Sequence, residues 1–137
     1  MHKLTLSVMP GEYAVARFAP TATLPASLWE APGLVSVSHT EGELSVIAPA
    51  GILDTVFNAP QLSTSAQRIE PGWRLLTVRG PLSFTLSGIM AALTGELAAA
   101  GVPLFALSTF DTDHLLIKEN DLDRAVDALR AAGHNIA

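Results

Sequence analysis

Leu4-Thr5-Leu6-Ser7-Val8 alternates apolar and polar side chains before Met9-Pro10-Gly11 interrupts the run. A period of two predicts a strand, because successive strand side chains point to opposite faces, and the Pro-Gly pair predicts a turn. Tyr13 to Phe18 repeats the pattern as a second strand. Pro20 to Pro32 is rich in helix and strand breakers and leaves room for one short helix around Ala26 to Ala31. Leu34 to Ser38 and Glu43 to Ala48 are β-rich runs on either side of Glu41-Gly42, the arrangement of a hairpin. A short helix over Ile52 to Asn58 and a weaker strand over Thr64 to Glu70 complete this part of the chain.

Pro71-Gly72 marks an internal boundary. Beyond it come a strand over Arg74 to Arg79, a Gly80-Pro81 turn and a long helix over Thr85 to Ala100. Leu86, Ile89, Met90, Leu93 and Leu97 have the spacing of one buried helical stripe, and Gly101 supplies the stop. Gly88 is read as a place where this helix packs closely on its sheet, and Gly95 as a loss of about 1 kcal/mol of helix stability relative to alanine. Val102 to Phe110 and His114 to Lys118 are strands joined by Asp111-Thr112-Asp113. The last helix has Asn120 as its cap and Leu122, Val126 and Leu129 as its stripe, and it ends at Gly133.

Shifted by about 70 residues, Val35-Ser36-Val37-Ser38 falls on Phe105-Ala106-Leu107-Ser108, Glu41 on Asp111, Glu43 on Asp113 and Ile47 on Ile117. Each half then reads β, α, β, β, α. In the first half Thr64 to Glu70 adds the last strand of a ferredoxin-like unit. The second half lacks that strand, since few residues follow Gly133, while Leu4 to Val8 is a spare strand at the other end of the chain. The expected fold class is therefore α+β. Two ferredoxin-like βαββαβ units lie in tandem, residues 1–70 and 71–137, with antiparallel sheets carrying helices on one face, and residues 4–8 swapped into the second unit to complete its sheet. Phe105 and Leu107 on one face of their strand, and Val102, Leu104, Ala106 and Phe110 on the other, make both faces apolar. An apolar second face calls for a cover, either the other unit or a second chain.

Composition narrows the function classes. The 137 residues are 49% hydrophobic and 15% charged, with 13 acidic against 8 basic side chains and no cysteine. The basic residues are scattered singly, which disfavours nucleic acid, since phosphate neutralisation needs clustered cations. Apolar runs are too short and interrupted for membrane spans, and His2-Lys3 leads straight into a strand pattern rather than a signal segment, so the expected location is the cytoplasm. Without cysteine there is no disulfide, thiolate nucleophile or thiolate metal site. No nucleophile elbow, Walker loop or dinucleotide fingerprint is present, and no acid, base and nucleophile set assembles from neighbouring segments. The chain is expected to be no enzyme and to hold no cofactor or metal.

Gly72-Trp73-Arg74, Gly80-Pro81-Leu82, Ser87-Gly88-Ile89 and above all the run Phe105-Ala106-Leu107-Ser108-Thr109-Phe110-Asp111-Thr112-Asp113-His114 resemble the small bacterial tandem ACT-domain proteins. These are similar to the regulatory domains of aspartate kinases and to the CASTOR-type arginine sensors. Pro10 to Val15 and Glu43 to Ile47 carry the resemblance into the first half. It implies paired ACT folds that hold a small effector, usually an amino acid, where the strand-to-helix loop of one unit meets its neighbour, and it implies dimerisation. The short first helix and the missing last strand depart from a symmetrical pair of sites.

The candidate ligand-binding residues are Ser83, Phe84, Thr85, Leu86 and Ser87 at the expected helix start, and Thr109, Phe110, Asp111, Thr112 and Asp113 in the turn. A helix start offers unpaired N–H groups to a carboxylate, and Ser83, Thr85 and Ser87 add hydroxyls, although Ser83 or Thr85 serves equally as a cap. An α-amine needs acceptors, which Asp111 or Asp113 supplies, unless both merely bond the backbone of a solvated turn. Asp111, Asp113 and His114 fall short of a metal site, and His114 reads as a packing histidine. His2, His39 and His134 are isolated surface residues in this reading, and Trp29 and Trp73 are core or interface anchors. The alternative to a ligand-binding regulatory module is a ligand-free interaction module that dimerises through its sheets.

Overall fold

The computed structural model describes residues 3–58, 68–79 and 88–137. It falls into two units, Gly11–Gly72 and a second made of Met1–Pro10 with Trp73–Ala137.

The first unit contains β2 (Tyr13–Phe18), a 3-10 helix (Ala26–Glu30), β3 (Ser36–His39), β4 (Leu44–Pro49), α1 (Ala50–Phe57) and the beginning of β5 (Arg68–Val78), after β1 (Thr5–Val8) of the second unit. The sheet runs β3-β4-β2-β5. Leu44, Val46 and Ala48 are buried and alternate with half-buried Ser45, Ile47 and Pro49. Across the antiparallel ladder they face Phe18, Ala16 and Ala14, so buried positions pair with buried ones. Leu28, Leu53 and Val56 cover that face, and Phe57 packs its ring 5.5 Å from that of Phe18. The 3-10 helix buries Leu28 alone, whereas Trp29 is 63% exposed and anchors no core.

Gly33 holds this unit's turn against Tyr13. Its φ of +100° is rarely adopted by residues with a side chain, and a Cβ there would lie 2.3 Å from the Tyr13 hydroxyl. That hydroxyl accepts the Leu34 N–H at 3.1 Å. Gly33→Ala is therefore expected to cost roughly 1–3 kcal/mol, read as a lowered urea midpoint at unchanged m-value.

The second unit takes β1, the remainder of β5, α2 (Ile89–Ala99), β6 (Leu104–Ser108), β7 (Asp113–Lys118), α3 (Leu122–Ala131) and β8 (Asn135–Ile136). β1 lies between β5 and β8, antiparallel to β5 (Leu6 opposite Val78) and parallel to β8 (Leu6 opposite Ile136). On its other side β5 pairs with β7, and β7 with β6. Leu6, Leu76, Val78, Leu115 and Ile117 from the sheet meet Leu93, Leu97, Ala125 and Leu129 from the helices in one core. Both helices close with paired hydrogen bonds characteristic of a Schellman motif. These are Gly101 N–H to Ala98 O and Val102 N–H to Leu97 O after α2, and Gly133 N–H to Arg130 O and His134 N–H to Leu129 O after α3.

Several expectations are corrected. A last strand of the second unit does exist: β8 is two residues long and held by its parallel pairing with β1. α2 begins at Ile89, because Gly88 sits at φ +78°, outside right-handed helix, with nothing near its Cβ position among the described residues, so the glycine serves backbone conformation; Thr85, the expected start, lies outside the described residues. Asn120 is no cap: residues Glu119–Asp121 form a 3-10 turn, and Asp121 precedes α3 without a side-chain capping bond. Pro71-Gly72 does not separate two strands, since β5 continues through it; a proline removes only its own donor from the ladder. His134 is buried, not a surface residue. Among the described residues no helix is long and apolar enough to cross a membrane.

Candidate ligand-binding site

The turn between β6 and β7 is held by its own threonines. Thr109 N–H donates to the Thr112 carbonyl at 2.8 Å, its hydroxyl donates to the same oxygen at 3.2 Å, and Thr112 N–H reaches Thr109 Oγ1 at 3.4 Å. Thr112 Oγ1 then donates to the carbonyl of Val78 at 2.5 Å, fastening the turn to the end of β5. The chain leaves β5 there through Arg79, whose N–H donates to Thr5 O and whose Nε donates to Ser7 Oγ at 3.0 Å.

The two candidate acceptors for an amine differ. Asp113 accepts the Ser108 hydroxyl at 2.5 Å, so one of its oxygens is engaged within the hairpin. Asp111 is exposed and has no hydrogen bond or ion pair among the described residues. Phe110 beside it is 79% exposed. Thr109, Phe110, Asp111, Thr112 and Asp113 are thus together in one turn. Ser83, Phe84, Thr85, Leu86 and Ser87 lie outside the described residues. Among those described, no three acidic or histidine side chains are grouped so as to hold a metal ion.

Two further residues take part in this end of the sheet: His114, read from the sequence as a packing histidine, and Arg79. His114 is paired across the ladder with Thr77, and its Nδ1 lies 2.9 Å from Thr77 Oγ1. Alternation along β7 could have signalled this contact only with the register of β5 known. Arg79, which ends the strand expected over Arg74 to Arg79, places a cation at the point that leads into residues 80–87.

Burial pushes the His114 imidazole below its ordinary pKa of 6.5, and the neighbouring Asp113 carboxylate opposes that shift. The unfolded chain therefore binds the proton more readily than the folded one. This contribution to stability is complete above the unfolded pKa and is lost as pH falls below about 6.5. His114→Gln, which keeps a hydrogen-bonding group for Thr77, is expected to flatten the fall in stability between about pH 7 and about pH 5. Urea midpoints measured across that range check it, and an unchanged slope would contradict it.

Residues 68–131 match the model of the ACT domain family. The chain is 31% identical over 101 residues to the cytosolic arginine sensor for mTORC1 subunit 1 of Rattus norvegicus, a match covering 73% of this chain and 30% of that protein. It therefore spans under a third of the length of that relative. A crystal structure of an Agobacterium tumefaciens protein superposes with a TM-score of 0.82 at 31% identity, covering 100% of this chain and 94% of that one. The ligand-free regulatory subunit of aspartate kinase from Thermus thermophilus shares the fold, with a TM-score of 0.67 at 10% identity over 93% of this chain and 97% of that one. The described hairpin and both helices of the second unit thus lie inside the segment that matches the ACT domain family, residues 68–131.

Proposed function

We propose that the chain is a non-catalytic regulatory module of the cytosol that binds a free amino acid at the turn Thr109–Asp113 together with residues 83–87 of the same unit. The family match over residues 68–131 carries this reading, and the relative named as an arginine sensor makes arginine the first ligand to try. The chemistry of the turn supports it. Asp111 offers an exposed, unpartnered carboxylate to an ammonium group, and the threonine bonds that tie the turn to Val78 hold it in place before any ligand arrives.

A thermal-shift screen of the twenty amino acids tests the proposal. An amino acid at a hundredfold its Kd is expected to stabilise the fold by about 2.7 kcal/mol, and Asp111→Ala is expected to remove most of that gain. An unchanged melting temperature with all twenty at millimolar concentration overturns it.

The same reading includes a homodimer. β6 pairs with β7 alone among the described residues and carries exposed Phe105 at its surface, and an apolar edge strand of this kind is suited to pairing with another chain. Phe105 packs edge-on against buried Trp73 at 5.3 Å, with the Lys118 ammonium 4.7 Å from the indole, so the exposed ring has a rigid support. Sedimentation equilibrium of the chain and of Phe105→Glu decides the matter.

A further inference from the structure

The second unit carries a cavity of about 550 Å3 that lies away from the β6–β7 turn, between α3, β8 and the end of β1. Its apolar lining comes from three elements: Val8 from β1, Val126 from α3 and Ile136 from β8, each only half-buried although aliphatic. The walls are fixed by backbone bonds, Val8 N–H to Ala137 O and Ala137 N–H to Leu6 O, both 2.9 Å. The volume is in the range of pockets that take small molecules.

The charged groups around it are unbalanced. Asp123 and Asp127 are one helical turn apart and share a face of α3. Both are exposed, and neither has an ion-pair or hydrogen-bond partner among the described residues. Arg130, the one cation in the lining, donates from Nη2 to the carbonyl of Ile136 at 3.0 Å and makes no ion pair with either carboxylate. The cavity therefore combines aliphatic side chains with two carboxylates that make no ion pair, and Arg130 offsets only one of their two charges.

We propose that this cavity is a second ligand site, for a small organic cation with an aliphatic stem, an alkylammonium or alkylguanidinium compound. The stem lies on Val8, Val126 and Ile136, and the cationic head is shared between Asp123 and Asp127. Burial of methylene groups supplies affinity, and the two carboxylates select the charge. The inference stands apart from the amino-acid reading of the turn, because it requires no α-carboxylate on the ligand.

Cadaverine and agmatine are the probes, with 1-pentanol and valerate as neutral and anionic controls of similar stem length. Titration of the labelled chain, followed by amide chemical shifts, is expected to move the signals of α3, β8 and Val8 with either cation. The Asp123→Asn, Asp127→Asn double variant is expected to weaken binding about tenfold or more, and added salt to weaken it in the wild type. Both substituted positions are exposed, and a far-UV circular dichroism spectrum identical to wild type establishes that the variant folds. The proposal is overturned if tens of millimolar of either cation leaves these amides unmoved, if the double variant binds as tightly as wild type, or if valerate binds equally well. Binding of polylysine without binding of either amine also overturns it, in favour of a basic protein segment.

Discussion

Shortening Leu6 to alanine is expected to destabilise the second unit by about 2–5 kcal/mol, the range for a large aliphatic side chain removed from a packed core. Leu6 is fully buried, stands opposite Val78 on β5 and Ile136 on β8, and touches the core shared by α2 and α3. The strand that carries it is central to its sheet and yet comes from the opposite end of the sequence. The loss is thus one of long-range packing rather than of a local turn. Trp73 is buried in this unit, so its fluorescence in urea, recorded in a Trp29→Phe background, reports the effect. A loss below about 1 kcal/mol would show that β1 is peripheral to this core.

Removing the His134 side chain is the second large perturbation. The ring has no solvent exposure, Nδ1 accepts the Leu4 N–H at 3.1 Å, and Nε2 lies 2.9 Å from Glu96 Oε2. An accepting Nδ1 assigns the ring proton to Nε2, which donates it to the carboxylate. One imidazole therefore joins the entry to β1, the C-terminal segment and α2. His134→Ala leaves a partly buried N–H and a largely buried carboxylate without partners, at about 1–3 kcal/mol for each. Glu96→Gln, which keeps an oxygen acceptor for Nε2, is expected to cost clearly less. Equal losses from the two variants, in chemical denaturation at neutral pH, would show that the histidine acts only by filling space.

Leu6 and His134 also indicate how far the sequence can be read. The fold class was legible because its signals are local. Leu44, Val46 and Ala48 alternate with more exposed neighbours, and the roughly 70-residue offset brings the hairpin of β3 and β4 onto that of β6 and β7. β8 was not legible, because Asn135 and Ile136 are too few to show a period and are a strand only by virtue of Leu6, far away along the chain. The start of α2 was misplaced for a related reason. Leu86 extends the apolar stripe of Ile89, Met90, Leu93 and Leu97 upstream, and a side-chain pattern does not register that Gly88 turns the backbone out of the helix. His134 was taken for a surface residue because its two side-chain partners, Leu4 and Glu96, come from distant parts of the chain.

At the candidate site, Asp111-Thr112-Asp113 could be read as a turn, since acidic and hydroxyl side chains favour one. Which carboxylate stays available could not. That depends on the Ser108 hydroxyl reaching Asp113 and leaving Asp111 alone, a matter of side-chain geometry across the hairpin. The tie from Thr112 to Val78 depends on strand register in the same way.

The central claim, an amino acid held at the β6–β7 turn, is tested most directly by an NMR titration of the uniformly labelled chain with L-arginine. The account predicts saturable shifts at the amides of Thr109 to Asp113, at Val78 and Arg79 and at residues 83–87, all lost in Asp111→Ala. Shifts confined to α3 and β8, or none with arginine and none with the other nineteen amino acids, would contradict it.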